Sequence, residues 1–158
     1  MEIQGLADIE KRLQALPEKV RKKHVRKALQ DGSDLVRVDA QRRVAAISAR
    51  RIKDDFLFFL RAPDMRHLKD YVVSKVKVGM RGAYAIVGLD YKQVRHGHLV
   101  EFGTKQHKIK IGKITINHPG AKKQPFMRPA FDAQGEKSVD VITTQLRDAV
   151  EKEAESGS

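Results

Sequence analysis

Ile3, Leu6, Ile9, Leu13, Leu16 and Val20 recur at spacings of three and four, the period that lines one face of an α-helix. The chain therefore opens on a predicted amphipathic helix. Pro17 breaks or restarts it, because proline is tolerated in a first turn, and Glu18 beside it has the charge that a helix N-terminus favours. The same period continues through Val25, Leu29, Gly32, Val36, Ala40, Val44 and Ile47. A second, long helix is expected from about Glu18 to Ile47, with Arg21, Lys22, Arg42 and Arg43 on its solvated face.

Further along, the period shortens to two. Val76 and Val78 alternate with Lys75 and Lys77 in a β-branched stretch from Tyr71 to Val78, Gly79-Met-Arg-Gly82 has turn chemistry, and Ala83 to Gly88 supplies a return strand. Lys108 to Ile116 repeats the form with Gly112-Lys113 at its tip, and its alternating lysines give the ribbon one apolar and one cationic face. Val139, Ile142, Leu146, Ala149 and Val150 describe a C-terminal amphipathic helix, after which residues 156–158 form a frayed tail. Helix, helix, hairpin, connector, hairpin, helix predicts an α+β fold, an antiparallel sheet covered by helices. The expected organisation is a single domain over residues 1–155. Residues 49–67 fit it least and read as a candidate insertion; the cluster Phe56-Leu-Phe-Phe-Leu60 within them suits a buried helix end, a short strand or a patch covered by a partner.

Composition narrows the class. A chain of 158 residues with 41% hydrophobic and 33% charged side chains can bury a core and keep a heavily charged surface. The absence of cysteine excludes disulfides and thiolate metal sites. The apolar runs are far too short to span a bilayer and Met1-Glu-Ile-Gln begins no signal peptide. The net charge is +12 and uneven: residues 61–134 hold 15 basic and 5 acidic side chains, residues 135–158 hold 3 and 6. Such a field calls for an acidic partner: nucleic acid, an acidic protein face, or the acidic C-terminal helix of a neighbouring subunit.

Two compact signatures bracket the second hairpin. In Leu99-Val-Glu-Phe-Gly-Thr104, Gly103 suits a reversal at positive φ that Phe102 is expected to help hold by burying its ring, Thr104 is placed to bond back to the local backbone, and Glu101 is expected to cap the turn or pair with a basic residue. In Gln124-Pro-Phe-Met-Arg-Pro-Ala-Phe131, Pro125 fixes an extended entry, Phe126 and Phe131 offer apolar anchors, and Pro129 belongs in the first turn of the last helix.

The ordered pair resembles the tail-completion, or minor tail and neck, proteins of long-tailed bacteriophages, whose members carry Tyr/Leu-x-Glu-Phe-Gly-Thr and then Pro-Phe-x-Arg-Pro-Ala before a C-terminal helix. Ala62-Pro63 and Leu68 resemble the family's approach to its first strand, although the Thr-Gly usual between them is missing. The resemblance implies a structural virion protein, not an enzyme, with no cofactor. It implies a homo-oligomeric ring, six-fold by analogy with other tail rings, at the head-proximal end of the tail or in the neck. Such a ring would join tail to head, contact neck, head-closure, tail-terminator or tail-tube proteins, and pass the genome through its lumen. Assembly would take place in the host cytoplasm, with no membrane involved. The motif positions carried over are Glu101, Phe102, Gly103, Thr104, Pro125, Phe126, Arg128, Pro129 and Ala130, and Lys105, Lys108, Lys110 and Lys113 form the candidate interface.

Other chemistry is weaker. His96, His98 and Glu101, with His107 and His118 nearby, invite a metal reading, but neither helix nor strand geometry brings the first three to one face. Ser48, Ser74 and Ser138 stand in no nucleophile-elbow context, and no glycine-rich phosphate loop occurs. Non-specific DNA binding through the lysine-faced hairpin is the runner-up, without any base-reading or stacking element. A metal-dependent nuclease comes third.

Overall fold

Pro17 does separate two helices. In the computed structural model, which describes residues 6–54, 68–79, 82–94, 97–111 and 114–156, α1 runs over Leu6–Ala15 and α2 over Glu18–Asp54. The Pro17 carbonyl accepts the Arg21 amide at 3.0 Å, the first bond of α2. Helix α2 continues past the expected Ile47 because Ala49, Arg50, Arg51 and Lys53 are good helix formers even where the apolar stripe has ended. The Phe56–Leu60 cluster lies outside the described residues. There follow β1 (Val72–Gly79), β2 (Gly82–Leu89), α3 (Gly97–Phe102), β3 (His107–Ile111), β4 (Ile114–His118) and α4 (Met127–Ser156). Strands β1 and β2 form one antiparallel two-stranded sheet, β3 and β4 another. The fold is α+β with long N- and C-terminal helices. No helix among the described residues is long and apolar enough to cross a membrane.

The chain divides into two compact units, one from Met1–Val38, Ser74–Val87 and Ala133–Ser158, the other from Asp39–Val73 and Gly88–Asp132. In the first, the stripes read from the sequence meet: Ile9 and Leu13 of α1 are buried with Val150 of α4, and Leu16 and Leu146 pack against them. Gly32 brings α2 and α4 close, since a Cβ there would lie 2.5 Å from Ile142 Cγ1 and 2.9 Å from the Ser138 carbonyl oxygen. Polar ties reinforce this contact. Gln145 Nε2 donates to Asp31 Oδ2 at 2.8 Å, and His24 Nε2 lies 2.9 Å from Glu153 Oε1. The hydroxyls of Ser33 and Ser74, 2.5 Å apart, join α2 to β1.

The second unit buries Ala40, Val44, Leu68, Val72, Val94, Val100, Phe126 and Ala130. A 3₁₀ turn over residues 68–71 leads into β1, where Gln41 Nε2 donates to the Val72 carbonyl at 3.1 Å. The Asp90 amide donates to the Tyr71 carbonyl at 2.9 Å, and the Asp90 carbonyl then accepts from Gln93 and Val94, folding the connector towards α3. Asp39 is buried on α2 and accepts from Arg43 Nε at 2.5 Å and from Arg42. The hydrogen bond from Arg43, reinforced by the charges of both arginines, holds the Asp39 carboxyl below its ordinary pKa against the opposing effect of burial.

Two outcomes follow from these packings. Gly32→Ala, which on helix propensity alone gains about 1 kcal/mol, should instead lower the melting temperature, because the added methyl overpacks against Ile142 and a backbone oxygen. A lowered folded-state pKa contributes stability above the unfolded value, about 3.9 for Asp, that is lost as pH falls through the folded value. Urea titrations should therefore find Asp39→Asn less stable than wild type near neutrality, with the gap narrowing as pH drops below about 4.

Candidate functional site

A helix N-terminus leaves four amides without intrahelical acceptors. In α4 the first helical bond is Ala130 N to Phe126 O, 3.2 Å, which makes Phe126 the N-cap and leaves the amides of residues 126 to 129 to be accounted for. A phenylalanine side chain offers no acceptor. The acceptor comes from 25 residues away: Glu101 Oε2 accepts from Phe126 N at 2.7 Å and Met127 N at 3.0 Å, and Glu101 Oε1 accepts from Arg128 N at 3.3 Å. Position 129 is proline and has no amide hydrogen to satisfy. The carboxylate also sits where the helix dipole favours negative charge. Glu101 is only 9% exposed, and Phe126 and Ala130 are fully buried.

Glu101 is held in place by α3, whose buried side is Gly97, Val100 and Glu101. Gly97 fits because a Cβ there would collide with the Leu89 side chain. Immediately after α3, Gly103 takes the expected positive φ, 71°, and its amide donates to the Leu99 carbonyl at 2.9 Å. A Cβ at Gly103 would also lie 2.6 Å from the Ala121 oxygen and 2.7 Å from the Lys123 nitrogen, so the glycine admits a second backbone as well as turning the first. The two segments are bonded there. Thr104 and Ala121 exchange backbone bonds of 2.9 and 3.1 Å, Ala121 N also donates to Thr104 Oγ1 at 2.8 Å, and Gln124 N donates to the Val100 carbonyl at 2.8 Å. Gly120, at φ 86°, passes beside the Thr104 carbonyl.

The hairpin β3–β4 emerges from this clamp. Its register pairs His107 with His118, Lys108 with Asn117, Ile109 with Ile116, Lys110 with Thr115 and Ile111 with Ile114. The two histidine rings at its base lie 5.0 Å apart. His107 Nδ1 donates to the Lys105 carbonyl at 2.8 Å, and His118 Nδ1 accepts from the Gly120 amide at 3.0 Å.

Glu101, Gly103, Thr104, Phe126, Pro129 and Ala130 are thus brought together, and Pro125 leads in from an exposed position. Three expectations need correction. Phe131 is no core anchor: it is 65% exposed, because Phe126 and Ala130 already occupy the buried side of the helix start. Phe102 is 77% exposed, since the helical period of α3 sends it with Leu99 to the side away from Val100 and Glu101. Thr104 bonds to Ala121, not to its local backbone. Arg128 engages Glu101 only through its amide; its side chain is exposed. Lys105, Lys108 and Lys110 are exposed, and Lys113 lies outside the described residues. His96 also lies outside them, His98 is exposed, and the described residues contain no group of three metal-ligating side chains.

The bond from Glu101 to the last helix is what reading the sequence missed. Its signal was present: Gln124-Pro-Phe-Met127 places no Ser, Thr, Asp or Asn at the start of a predicted helix, so the cap had to come from elsewhere.

The family model described as "Bacteriophage HK97-gp10, putative tail-component" matches residues 7–103, and the chain belongs to that HK97-gp10-like family. The match takes in α1 through α3, including Glu101 and Gly103, and stops before the second hairpin. No curated protein and no solved structure shows a significant match. The protein is a bacteriophage tail component, a structural part of the virion.

Glu101→Ala should cost about 3 kcal/mol, combining a lost N-cap with a buried amide left unpaired, and Glu101→Gln, which keeps one acceptor, should cost less. Phe126→Ala should cost about 3–5 kcal/mol. Phe102→Ala should stay within about 0.5 kcal/mol of wild type. Denaturant unfolding of the four variants would establish the ranking, and a stable Phe126→Ala protein would remove that ring from the core.

Proposed function

We propose that the protein forms a ring, six-fold by analogy with other tail rings, at the head-proximal end of the tail or in the neck, and that this ring joins tail to head. The observation that carries the reading is the contrast within the two signatures. Their polar and glycine positions lock two backbone segments together, while Leu99, Phe102 and Phe131 are left exposed. Large side chains held in water on a braced platform suit contact with another protein. The contacts would be neighbouring subunits and the adjoining neck, head-closure, tail-terminator or tail-tube proteins, with genome DNA passing through the lumen.

One feature favours a second reading. Residues 102–131 hold seven Lys or Arg and no Asp or Glu, so the hairpin could neutralise phosphates on that DNA. Such contact would be sequence-insensitive and would weaken steeply with salt.

A phage lacking the protein should fill heads and build tails yet fail to join them, and supplied Phe102→Ala protein should remain folded but restore few infectious particles. Counting joined virions by electron microscopy checks both. Normally joined particles in the absence of the protein would reject the proposed role.

A further inference from the structure

The lysine face of the hairpin has no countercharge within its own segment. Lys108 and Lys110 are exposed at alternate positions of β3, and their cross-strand neighbours, Asn117 and Thr115, are exposed and uncharged. Neither lysine has an ion pair among the described residues. With no carboxylate anywhere in residues 102–131, nothing within the segment can neutralise them.

The opposite situation occurs on α4. Glu136 and Asp140 stand four residues apart, both exposed, and the described residues include no ion pair to either, Lys137 included. Positions i and i+4 on a helix are separated by about 6 Å along its axis. Alternate residues on a strand are separated by about 6.7 Å. Two carboxylates and two ammonium groups thus recur at nearly the same interval.

We infer that the Lys108–Lys110 face of the β3–β4 hairpin of one copy docks on the Glu136–Asp140 stretch of α4 of the next copy. A second copy is favoured over nucleic acid because the chain itself carries the matching acidic row, whereas the described hairpin presents no tyrosine or phenylalanine for base stacking. The two surfaces differ, so the contact is heterologous: each copy offers a hairpin to one neighbour and a helix to the other, which gives a ring when the rotation between copies closes. The inference rests on the ring reading proposed above and names the surfaces that would form it.

Charge reversal tests it in the full chain. The variants are Lys108→Glu with Lys110→Glu, Glu136→Lys with Asp140→Lys, and all four together; circular dichroism and thermal melts verify that each is folded. Ring yield is read by sedimentation and electron microscopy on purified protein and on assembled tails. Each reversed pair should lower ring yield by about tenfold or more, since like charges would then face each other, and the fourfold variant should recover most of it. Rings at wild-type yield from either folded pair, or no recovery in a folded fourfold variant, would overturn the contact while leaving the ring reading intact. Loss of retention on immobilised DNA in the lysine variant, with rings unchanged, would give the hairpin to nucleic acid and likewise overturn it. Absence of rings from wild-type protein both alone and in tails would remove the ring reading and this contact with it.

Discussion

One carboxylate holds the second unit's two signatures together. Glu101 accepts the amides of Phe126, Met127 and Arg128, and without it three donors at the start of a 30-residue helix, one of them buried, would need another acceptor. Desolvated amides are costly when unpaired, so the position of α3 and the first turn of α4 are set together. Pro129 removes the fourth donor, which a single carboxylate already holding three amides need not reach. The glycines at 103 and 120 serve the same join by letting the flanking backbones approach closely enough for Thr104 and Ala121 to pair.

This bracing gives the proposed contact residues a stiff base. Phe102 follows Glu101 directly, Phe131 lies one turn into α4, and the hairpin leaves the clamp at residues 104 and 121. Side chains attached to a rigid join lose little further freedom when a partner covers them. The proposed contacts need surfaces that stay in water until assembly, and that base carries exposed rings and, among the described residues, lysines without ion pairs.

Period carried most of the fold. The restart at Pro17, the apolar stripes of α1 and α4, and both hairpins were legible because each is a local consequence of spacing or turn chemistry. The positive φ of Gly103 was legible for the same reason. Three things were not. The end of α2 depends on intrinsic propensity after the stripe has stopped, so periodicity understates its length. The exposure of Phe102 depends on the short helix α3, which turns Val100 and Glu101 inward instead, and that of Phe131 on Phe126 and Ala130 filling the buried side of the start of α4. The reach of Glu101 to residues 126–128 is a contact across 25 positions, for which one sequence offers only the indirect sign of an uncapped helix start.

The most direct test of this account is amide hydrogen exchange at residues 126 to 128, resolved by NMR in wild type and in Glu101→Ala. In the wild type, Phe126, Met127 and Arg128 should exchange slowly. The variant should show a marked and local acceleration there, with the amides of α1 unchanged. Equal protection of these three amides in both proteins would show that the helix start is satisfied without Glu101 and would contradict the clamp.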